Sequence, residues 1–295
     1  MLSRRETLLS GLALASCAPR AAPPMIAQEP VNDLRFAAIE ARIGGRVGVT
    51  ALNTAGGAML VHRADERFAM CSTFKWLLAA QMLQMAQSLP SLLEQRVRYT
   101  EGDLLEYAPV ARENLARGWM SIEELCAAAV VMSDNTAANL LLVGASGPAG
   151  FTSFLRANGD AVTRLDRTEP TLNDVPPGDE RDTTTPEAMA RTLARFLTTD
   201  EVLAAAGREK LIGWMVDSPT GRARLRAGLP TDWRTGDKTG TWNGEPNASN
   251  DVAISWPPGR TPIVIASYLS ASTGDPSARN VAHAEIARVV AEEWR

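Results

Sequence analysis

Residues 72–85 read STFKWLLAAQMLQM, and the character of the chain changes at this stretch. The run is almost wholly apolar and long enough for nearly four helical turns, which predicts a long buried helix. Helical signals then continue through the middle of the chain, including a capping-box pattern formed by Ser121 and Glu124. Thr185 before Pro186 predicts the start of another helix. The stretch therefore predicts the beginning of a helical lobe.

Strand signals lie on both sides of this helical middle. Upstream, a predicted helix over 34–42 precedes a hairpin. Downstream, three strands are predicted before a closing amphipathic helix. The predicted strands cover 46–52, 58–62, 233–239, 251–256 and 261–269, and the closing helix covers 281–294. The simplest topology is an α/β (α+β) fold, in which both chain ends build an antiparallel five-stranded sheet flanked by helices, with an inserted all-helical lobe.

Ser72 and Lys75 open the first long helix. Residues three apart share a helix face, so the two side chains are predicted to be neighbours. A serine hydroxyl needs an adjacent base to attack a carbonyl, and Lys75 can serve directly or relay through another base. The alternative is a capping serine beside an exposed lysine.

Ser133-Asp134-Asn135 lies at the junction of two predicted helices. The Ser133 hydroxyl can pass a proton to a leaving nitrogen, and the Asn135 amide can bind a substrate amide carbonyl. The alternative is that the tripeptide only caps the next helix.

Lys238-Thr239-Gly240 lies on a predicted strand. The cation and the hydroxyl can bind a carboxylate, and Gly240 would let a substrate lie close to the strand edge. The backbone N–H of Thr241 could join that of Ser72 as an oxyanion hole. The alternative is an ordinary strand end.

Residues 164–182 are charged, show no apolar period and predict a long structured loop. A loop of this length within a compact domain is often functional. Taken by itself, Glu169 in this loop would be interpreted as a solvated carboxylate.

The order S-x-x-K, S-D-N, K-T-G resembles that of the class A serine β-lactamases over residues 34–294. The resemblance implies a β-lactamase/transpeptidase-like fold and hydrolysis of penicillins, and of cephalosporins, through an acyl-enzyme on Ser72. Ser133 would protonate the lactam nitrogen. Lys75 or Glu169 would accept the Ser72 proton, a choice that is disputed for the family.

The loop also resembles that of the family. Glu169 and Asn173 would hold the hydrolytic water, and an Arg167–Asp182 salt bridge would brace the loop. The related penicillin-binding peptidases and β-lactam sensors would be expected to lack this element, which favours a hydrolase over these two alternatives.

Other positions match by order and spacing. Tyr107 resembles the aromatic residue beside the substrate cleft. Arg224, fourteen residues before Lys238, resembles an arginine that binds the substrate carboxylate, with Arg222 and Arg226 as competitors.

Cys71 and Cys126 match positions that form disulfides in some relatives. The partner position of Cys71 holds Trp242 here, and that of Cys126 holds Ala79. We therefore expect both cysteines to be free and buried. This removes the best sequence support for carbapenem hydrolysis.

The 295 residues are 45% apolar and 22% charged, with a net charge of −4 and no basic stripe. This balance predicts a globular chain and no binding of nucleic acid. The resemblance implies that its partners are β-lactam antibiotics. We expect no metal and no cofactor, and a monomer.

Residues 1–31 predict an export signal and linker, and 32–295 the enzyme domain, with an α/β lobe over 32–66 and 219–295 and a helical lobe over 67–218. Arg4-Arg5 before a short apolar run resembles a twin-arginine signal, which predicts a periplasmic protein. Leu14-Ala15-Ser16-Cys17 resembles a lipobox, so Cys17 is a candidate lipid anchor of a lipoprotein. Cleavage near Ala21 is the alternative.

Overall fold

The computed structural model describes residues 30–295, so nearly all of the predicted export signal, including Cys17, lies outside the described residues. The α-helices of the described part are α1 (Leu34–Ile43), α2 (Phe74–Ser88), α3 (Pro109–Glu113), α4 (Ile122–Val131), α5 (Asn135–Gly144), α6 (Gly147–Ala157), α7 (Pro186–Thr198), α8 (Ala205–Asp217), α9 (Leu225–Gly228) and α10 (Pro276–Trp294). Its strands are β1 (Val31–Asn32), β2 (Arg46–Asn53), β3 (Met59–His62), β4 (Phe68–Ala69), β5 (Arg96–Arg98), β6 (Trp119–Ser121), β7 (Thr183–Thr184), β8 (Arg234–Trp242), β9 (Ala248–Trp256) and β10 (Ile263–Ser270).

The main sheet has the order β1-β3-β2-β10-β9-β8. Its five long strands pair antiparallel, as predicted. The prediction missed a sixth strand, because β1 adds two exposed residues parallel to β3. A two-residue strand is too short to show an alternating pattern, and β1 falls where the chain was expected to change from linker to domain.

Helices cover both faces of this sheet. Val47 and Val49 of β2 pack in one apolar cluster with residues of α1 and α10. Val264 and Ala266 of β10 point the other way, into the larger cluster that includes α2 and α7. The strands are thus buried on both faces with a period of two, and α7 packs against β2 and β10 on the side of the larger cluster.

Helix α2 lies at the centre of the helical part. Ten consecutive residues, from Phe74 to Leu83, are buried. A helix that is apolar on all sides is buried on all sides, so α2 provides a rigid base for the residues at its start. The predicted helix does not begin as an α-helix at Ser72, because Cys71–Thr73 form a 3₁₀ turn ahead of it.

Other helix ends follow their capping residues. The Ser121–Glu124 capping box at α4 is confirmed, as is the Thr185 cap of α7. Gly144 is the last helical residue of α5, and a positive φ of 62° falls on Ser146, two residues later.

A small second sheet joins the end of the long loop to the segment before the nucleophile. Phe68 and Ala69 of β4 pair with β7, and the Met70 N–H donates to the Asp182 carbonyl at 3.0 Å. The end of the long loop is therefore hydrogen-bonded through its backbone to the segment that precedes Ser72.

Within residues 30–295, no single helix has the length and apolar character needed to cross a membrane; α5 and α6 meet that test only together, and they are bent by 73°.

Candidate active site

A cleft of about 580 Å³ opens between the helical part and strand β8. Nine of the predicted site residues line it: Ser72, Tyr107, Ser133, Asn135, Glu169, Asn173, Arg224, Thr239 and Thr241. Lys75 and Lys238 lie beneath its surface with no exposed area. The structure therefore brings together three motifs that are far apart in the sequence.

Ser72 lies in the 3₁₀ turn that precedes α2. Its Oγ is 3.3 Å from Glu169 Oε1, which is an acceptor for the hydroxyl proton. The preceding Cys71 has a φ of 45°, a conformation that non-glycine residues adopt at a cost and that clusters at active sites. The strained turn holds Ser72 between the helix and β8.

Lys75 is fully buried and has three acceptors around its ammonium group. Its Nζ donates to Glu169 Oε1 and to the Ser133 carbonyl, both at 2.9 Å, and to Asn135 Oδ1. Desolvation lowers the pKa of Lys75, and the Glu169 carboxylate opposes that shift. Lys75 thus connects the nucleophile, the S-D-N segment and the loop.

Ser133 has a φ of 58° and faces a second buried lysine. Its Oγ accepts from Lys238 Nζ at 2.9 Å, and the same ammonium donates to the Thr239 carbonyl at 2.8 Å. Burial, with a further contribution from Lys75, lowers the pKa of Lys238 to about 7. A proton can therefore pass through Ser133 toward the cleft at neutral pH.

Asp134 is structural. One carboxylate oxygen caps α5 by accepting from the Ala137 N–H, and the other accepts from the N–H groups of Val110 and Ala111 at 2.9 Å. The predicted capping role of the tripeptide is thus real, but it belongs to Asp134, while its two neighbours face the cleft.

Glu169 is held through both its side chain and its backbone. Oε2 accepts from Asn173 Nδ2 at 2.6 Å. The Glu169 N–H donates to Asn139 Oδ1 at 3.0 Å, and its carbonyl accepts from Asn139 Nδ2 at 2.9 Å. The sequence prediction missed Asn139, although its place one helical turn after Asn135 put it on the same face of α5.

The predicted Arg167–Asp182 ion pair is present. Arg167 Nε donates to Asp182 Oδ2 at 2.6 Å. The other carboxylate oxygen accepts from the N–H groups of Asp166 and Arg167 at 2.7 and 2.9 Å. Because Asp182 is fully buried and its carbonyl also binds Met70, the brace fixes the loop relative to the nucleophile.

Strand β8 forms the opposite wall of the cleft. Thr239 Oγ1 donates to Thr220 Oγ1 at 2.8 Å, and Thr220 lines the cleft although it belongs to none of the three motifs. Gly240 was expected to make room for a substrate. The structure adds a second constraint at this position, because an added Cβ would lie 2.7 Å from the Met70 carbonyl oxygen and 3.1 Å from Cys71 Cβ. A larger side chain at position 240 would therefore collide with the turn that carries Ser72.

Of the three candidate arginines, Arg224 reaches the cleft. Its guanidinium donates to the carbonyls of Gly240 and Asn250 at 2.9 and 2.6 Å and to Thr241 Oγ1 at 2.7 Å. Desolvation lowers the pKa of Arg224, and Asp251 opposes the shift. Arg222 is exposed on the neighbouring turn.

Arg226 has a structural role. Its Nε contacts the Asp237 carboxylate, and its terminal nitrogens donate to the carbonyls of Met215 and Val216 at 2.6 and 2.9 Å. These contacts hold the Arg226 guanidinium inside the protein, away from the cleft.

Tyr107 stands at the mouth of the cleft with 51% of its surface exposed. Its carbonyl accepts from the Asn135 N–H at 3.0 Å, which ties this wall to the S-D-N segment. Both cysteines of the described part, Cys71 and Cys126, are free and buried, as expected, and burial raises the pKa of each thiol.

The described residues contain no group of three or more His, Cys, Asp or Glu side chains arranged to hold a metal ion.

Known proteins resemble this chain in sequence and in fold over nearly all of the described residues. The family model described as the beta-lactamase enzyme family matches residues 32–294. The chain is 47% identical to beta-lactamase L2 of Stenotrophomonas maltophilia over 98% of each chain, and 47% identical to beta-lactamase AST-1 of Nocardia asteroides over 89% of this chain and 83% of that protein. The solved structure of an ancestral class A beta-lactamase is 52% identical, with a TM-score of 0.85 over 88% of this chain and 98% of that one.

Proposed function

Because the chain belongs to the class A β-lactamases, enzymes that hydrolyse the β-lactam ring and confer antibiotic resistance, we propose that hydrolysis proceeds through an acyl-enzyme on its Ser72. The observation that carries the proposal is the position of Glu169 Oε1, which is 3.3 Å from Ser72 Oγ and 2.9 Å from Lys75 Nζ. One carboxylate oxygen is thus within reach of both the nucleophile and the buried lysine.

In the first half-reaction Ser72 Oγ attacks the lactam carbonyl. The three acceptors around Lys75 Nζ favour its ammonium form, so the geometry favours Glu169 as the acceptor of the Ser72 proton. The backbone N–H groups of Ser72 and Thr241 stabilise the oxyanion. Lys75 itself remains the alternative acceptor.

The lactam nitrogen leaves with a proton from Ser133. The hydrogen bond from Lys238 supports this role, because an ammonium whose pKa lies near 7 can replenish the proton at neutral pH. Thr239, Thr241 and Arg224 lie on the same side of the cleft and bind the substrate carboxylate.

In the second half-reaction water must attack the ester on Ser72. Glu169 and Asn173, joined at 2.6 Å, are placed to hold and deprotonate that water. The Arg167–Asp182 brace and the Asn139 contacts keep the carboxylate in place while the ester forms.

Glu169→Ala tests this scheme. With a good penicillin the variant should accumulate a covalent adduct, one whole substrate heavier by intact-protein mass spectrometry. Lys75 can still accept the Ser72 proton during acylation, whereas deacylation loses a general base that contributes about 10²–10⁴-fold. Asp174→Ala removes an exposed carboxylate of the same loop and should turn over like the wild type. Ser72→Ala should form no adduct. A wild type that stays acylated for hours would instead indicate a penicillin-binding peptidase or a sensor.

We propose a substrate range of penicillins and, because Thr241 Oγ1 faces the cleft, cephalosporins. We also propose that the protein works as a monomer. We place the boundaries between its α/β lobe and its helical lobe at residues 66/67 and 218/219.

The N-terminal signal supports export to the periplasm. Mass spectrometry of the native protein should show loss of its first residues. An acyl chain on Cys17 would support the lipoprotein form, and cleavage beyond Cys17 without lipid would refute that form and leave export intact.

A further inference from the structure

Asn250 is a buried amide of β9 that the scheme above does not use. Its side chain has no exposed area. Nδ2 donates to the carbonyls of Ala69 and Met70, at 2.9 and 3.1 Å. These two residues come directly before Cys71 and Ser72, so the Asn250 amide holds the backbone that leads into the nucleophile's turn.

The main chain of Asn250 is tied to the opposite wall of the cleft. Asn250 lies directly across from Gly240 in the pairing of β8 with β9. Arg224 Nη1 donates to the carbonyls of both residues, at 2.9 Å for Gly240 and 2.6 Å for Asn250. Asn250 therefore contacts the turn before Ser72 with its side chain, and the strand that carries Thr241 with its main chain.

These contacts hold two peptide groups of the proposed oxyanion hole. The Thr241 N–H belongs to the same planar peptide as the Gly240 carbonyl, so a bond that fixes the carbonyl also fixes the direction of the N–H. On the other side, the Met70 carbonyl belongs to the peptide that precedes Cys71, and the Ser72 N–H follows one residue later. The positions of the two N–H groups therefore depend on backbone that Asn250 holds.

The strand, the turn and the amide pack closely around one point. A Cβ added at Gly240 would lie 2.7 Å from the Met70 carbonyl oxygen, 3.1 Å from Cys71 Cβ and 3.2 Å from Asn250 Nδ2. Glycine thus lets these three groups approach one another. A change at Asn250 would therefore alter the separation between the turn and β8.

The amide also carries a cost in stability. Its Oδ1 is buried and has no hydrogen-bond partner among the described residues. An unpaired buried oxygen destabilises the folded state, whereas an apolar side chain of the same shape would leave none. Departures from good packing of this kind are expected at functional positions. The two hydrogen bonds that Nδ2 donates give a physical reason for an amide here.

We propose that Asn250 is a positioning residue that sets the separation of the Ser72 and Thr241 N–H groups, and with it the strength of the oxyanion hole. The inference rests on the proposed function. Acylation and deacylation both pass through a tetrahedral oxyanion, and each needs the two N–H groups together. Loss of the amide should therefore slow both steps. An interaction made only in the transition state changes kcat and kcat/KM equally, so KM should stay the same.

Asn250→Ala, Asn250→Ser and the control Asn247→Ala test the proposal with one penicillin. Asn250→Ser keeps a single donor hydrogen. Asn247, just before β9, also binds backbone through its side chain, donating to the Ser272 carbonyl at 2.9 Å and accepting from the Ser272 N–H at 3.1 Å. Unfolding curves show that each variant is folded and measure its loss of stability.

In Asn250→Ala, kcat and kcat/KM should each fall about ten- to a hundredfold at an unchanged KM, because misplacement by about 1 Å has an effect of this size. Asn250→Ser should lie between this variant and the wild type. Asn247→Ala should lose stability and keep both constants. If Asn250→Ala does not fold, Asn250→Ser provides the comparison with the control.

A second measurement reports on the oxyanion hole itself. Each substitution is combined with Glu169→Ala, in which the acyl-enzyme should accumulate, and the infrared stretch of its isotope-labelled ester carbonyl is recorded. Hydrogen bonds to the carbonyl oxygen weaken the C=O bond and lower its stretching frequency. The band should therefore move to higher frequency when the Asn250 amide is lost, and it should not move in the Asn247 variant.

An unchanged band in the Asn250 variants would overturn the inference, even if kcat fell, and so would an unchanged kcat. An equal fall of kcat in the Asn250 variants and in Asn247→Ala would overturn it as well, because it would mean that Asn250 only supports the fold. In each of these cases hydrolysis itself would still stand. If Glu169→Ala alone accumulated no acyl-enzyme, the proposed function would fail and this inference with it.

Discussion

Arg224→Ala separates two contributions that the structure combines in one side chain. The guanidinium supports the protein through the carbonyls of Gly240 and Asn250 and through Thr241 Oγ1, and it also faces the cleft. A hydrogen bond to a charged group is worth about 1.5–3 kcal/mol. Since about 1.4 kcal/mol is a factor of ten, losing the carboxylate contact should lower kcat/KM about ten- to hundredfold.

The assay compares a penicillin with its methyl ester, which has no carboxylate. Wild-type enzyme should prefer the free acid, and Arg224→Ala should lose most of that preference. Arg222→Ala, an exposed neighbour on the same turn, should keep it. Equilibrium unfolding in urea measures the structural contribution separately, and we expect a loss of about 1–3 kcal/mol from the acceptors left without a donor.

An unchanged acid-to-ester ratio in Arg224→Ala would refute the reasoning, even if overall activity fell, because the fall would then come from a disturbed β8. Loss of the preference in Arg222→Ala would show that the wrong arginine had been chosen.

The remaining predictions concern Lys238, Asn139 and the two buried cysteines. Because burial lowers the pKa of Lys238 from 10.5 to about 7, kcat/KM should decline above that pH, and the decline should disappear from a pH–rate profile of Lys238→Arg. The unfolded chain binds more protons than the folded one between these two values, so the contribution of Lys238 to stability should rise with pH across that window, as urea unfolding at several pH values would show. Asn139→Ala should slow deacylation by up to about a hundredfold, because it frees the backbone of Glu169, and a burst of product in stopped-flow kinetics would reveal it; an unchanged kcat would contradict that role. Thiol titration of the unfolded, unreduced protein should detect both Cys71 and Cys126, and recovery of neither would mean that they are oxidised.

The strands and the main helices could be predicted from sequence because local signals agree with the fold. The Ser121–Glu124 box and the Thr185 cap work through contacts three residues apart, so they are visible in the sequence itself. β1 and the left-handed Ser146 were missed, because each depends on where a distant segment or the following helix lies.

The functional site could likewise be predicted where local motifs define it, and not where contacts between distant segments define it. The three motifs, the loop and the positions of Tyr107 and Arg224 carried enough signal to identify nine of the residues that line the cleft. Thr220 and Asn139 were missed because each acts through hydrogen bonds to a residue far along the chain, Thr239 and Glu169 respectively. The close approach of Met70 to Gly240 could not be predicted, because it is visible only in three dimensions.

The pairing of β4 with β7 has a consequence for how the molecule is made. Phe68 lies opposite Thr184, so segments more than a hundred residues apart must meet before the backbone around Ser72 is complete. Contacts of such long sequence separation form late, because loop closure must precede them. A nascent chain that ends before Thr183 lacks the partner of β4, so we expect it to be unreactive toward β-lactams. Reactivity should therefore arise as a late step of folding, after most of the chain has been synthesised.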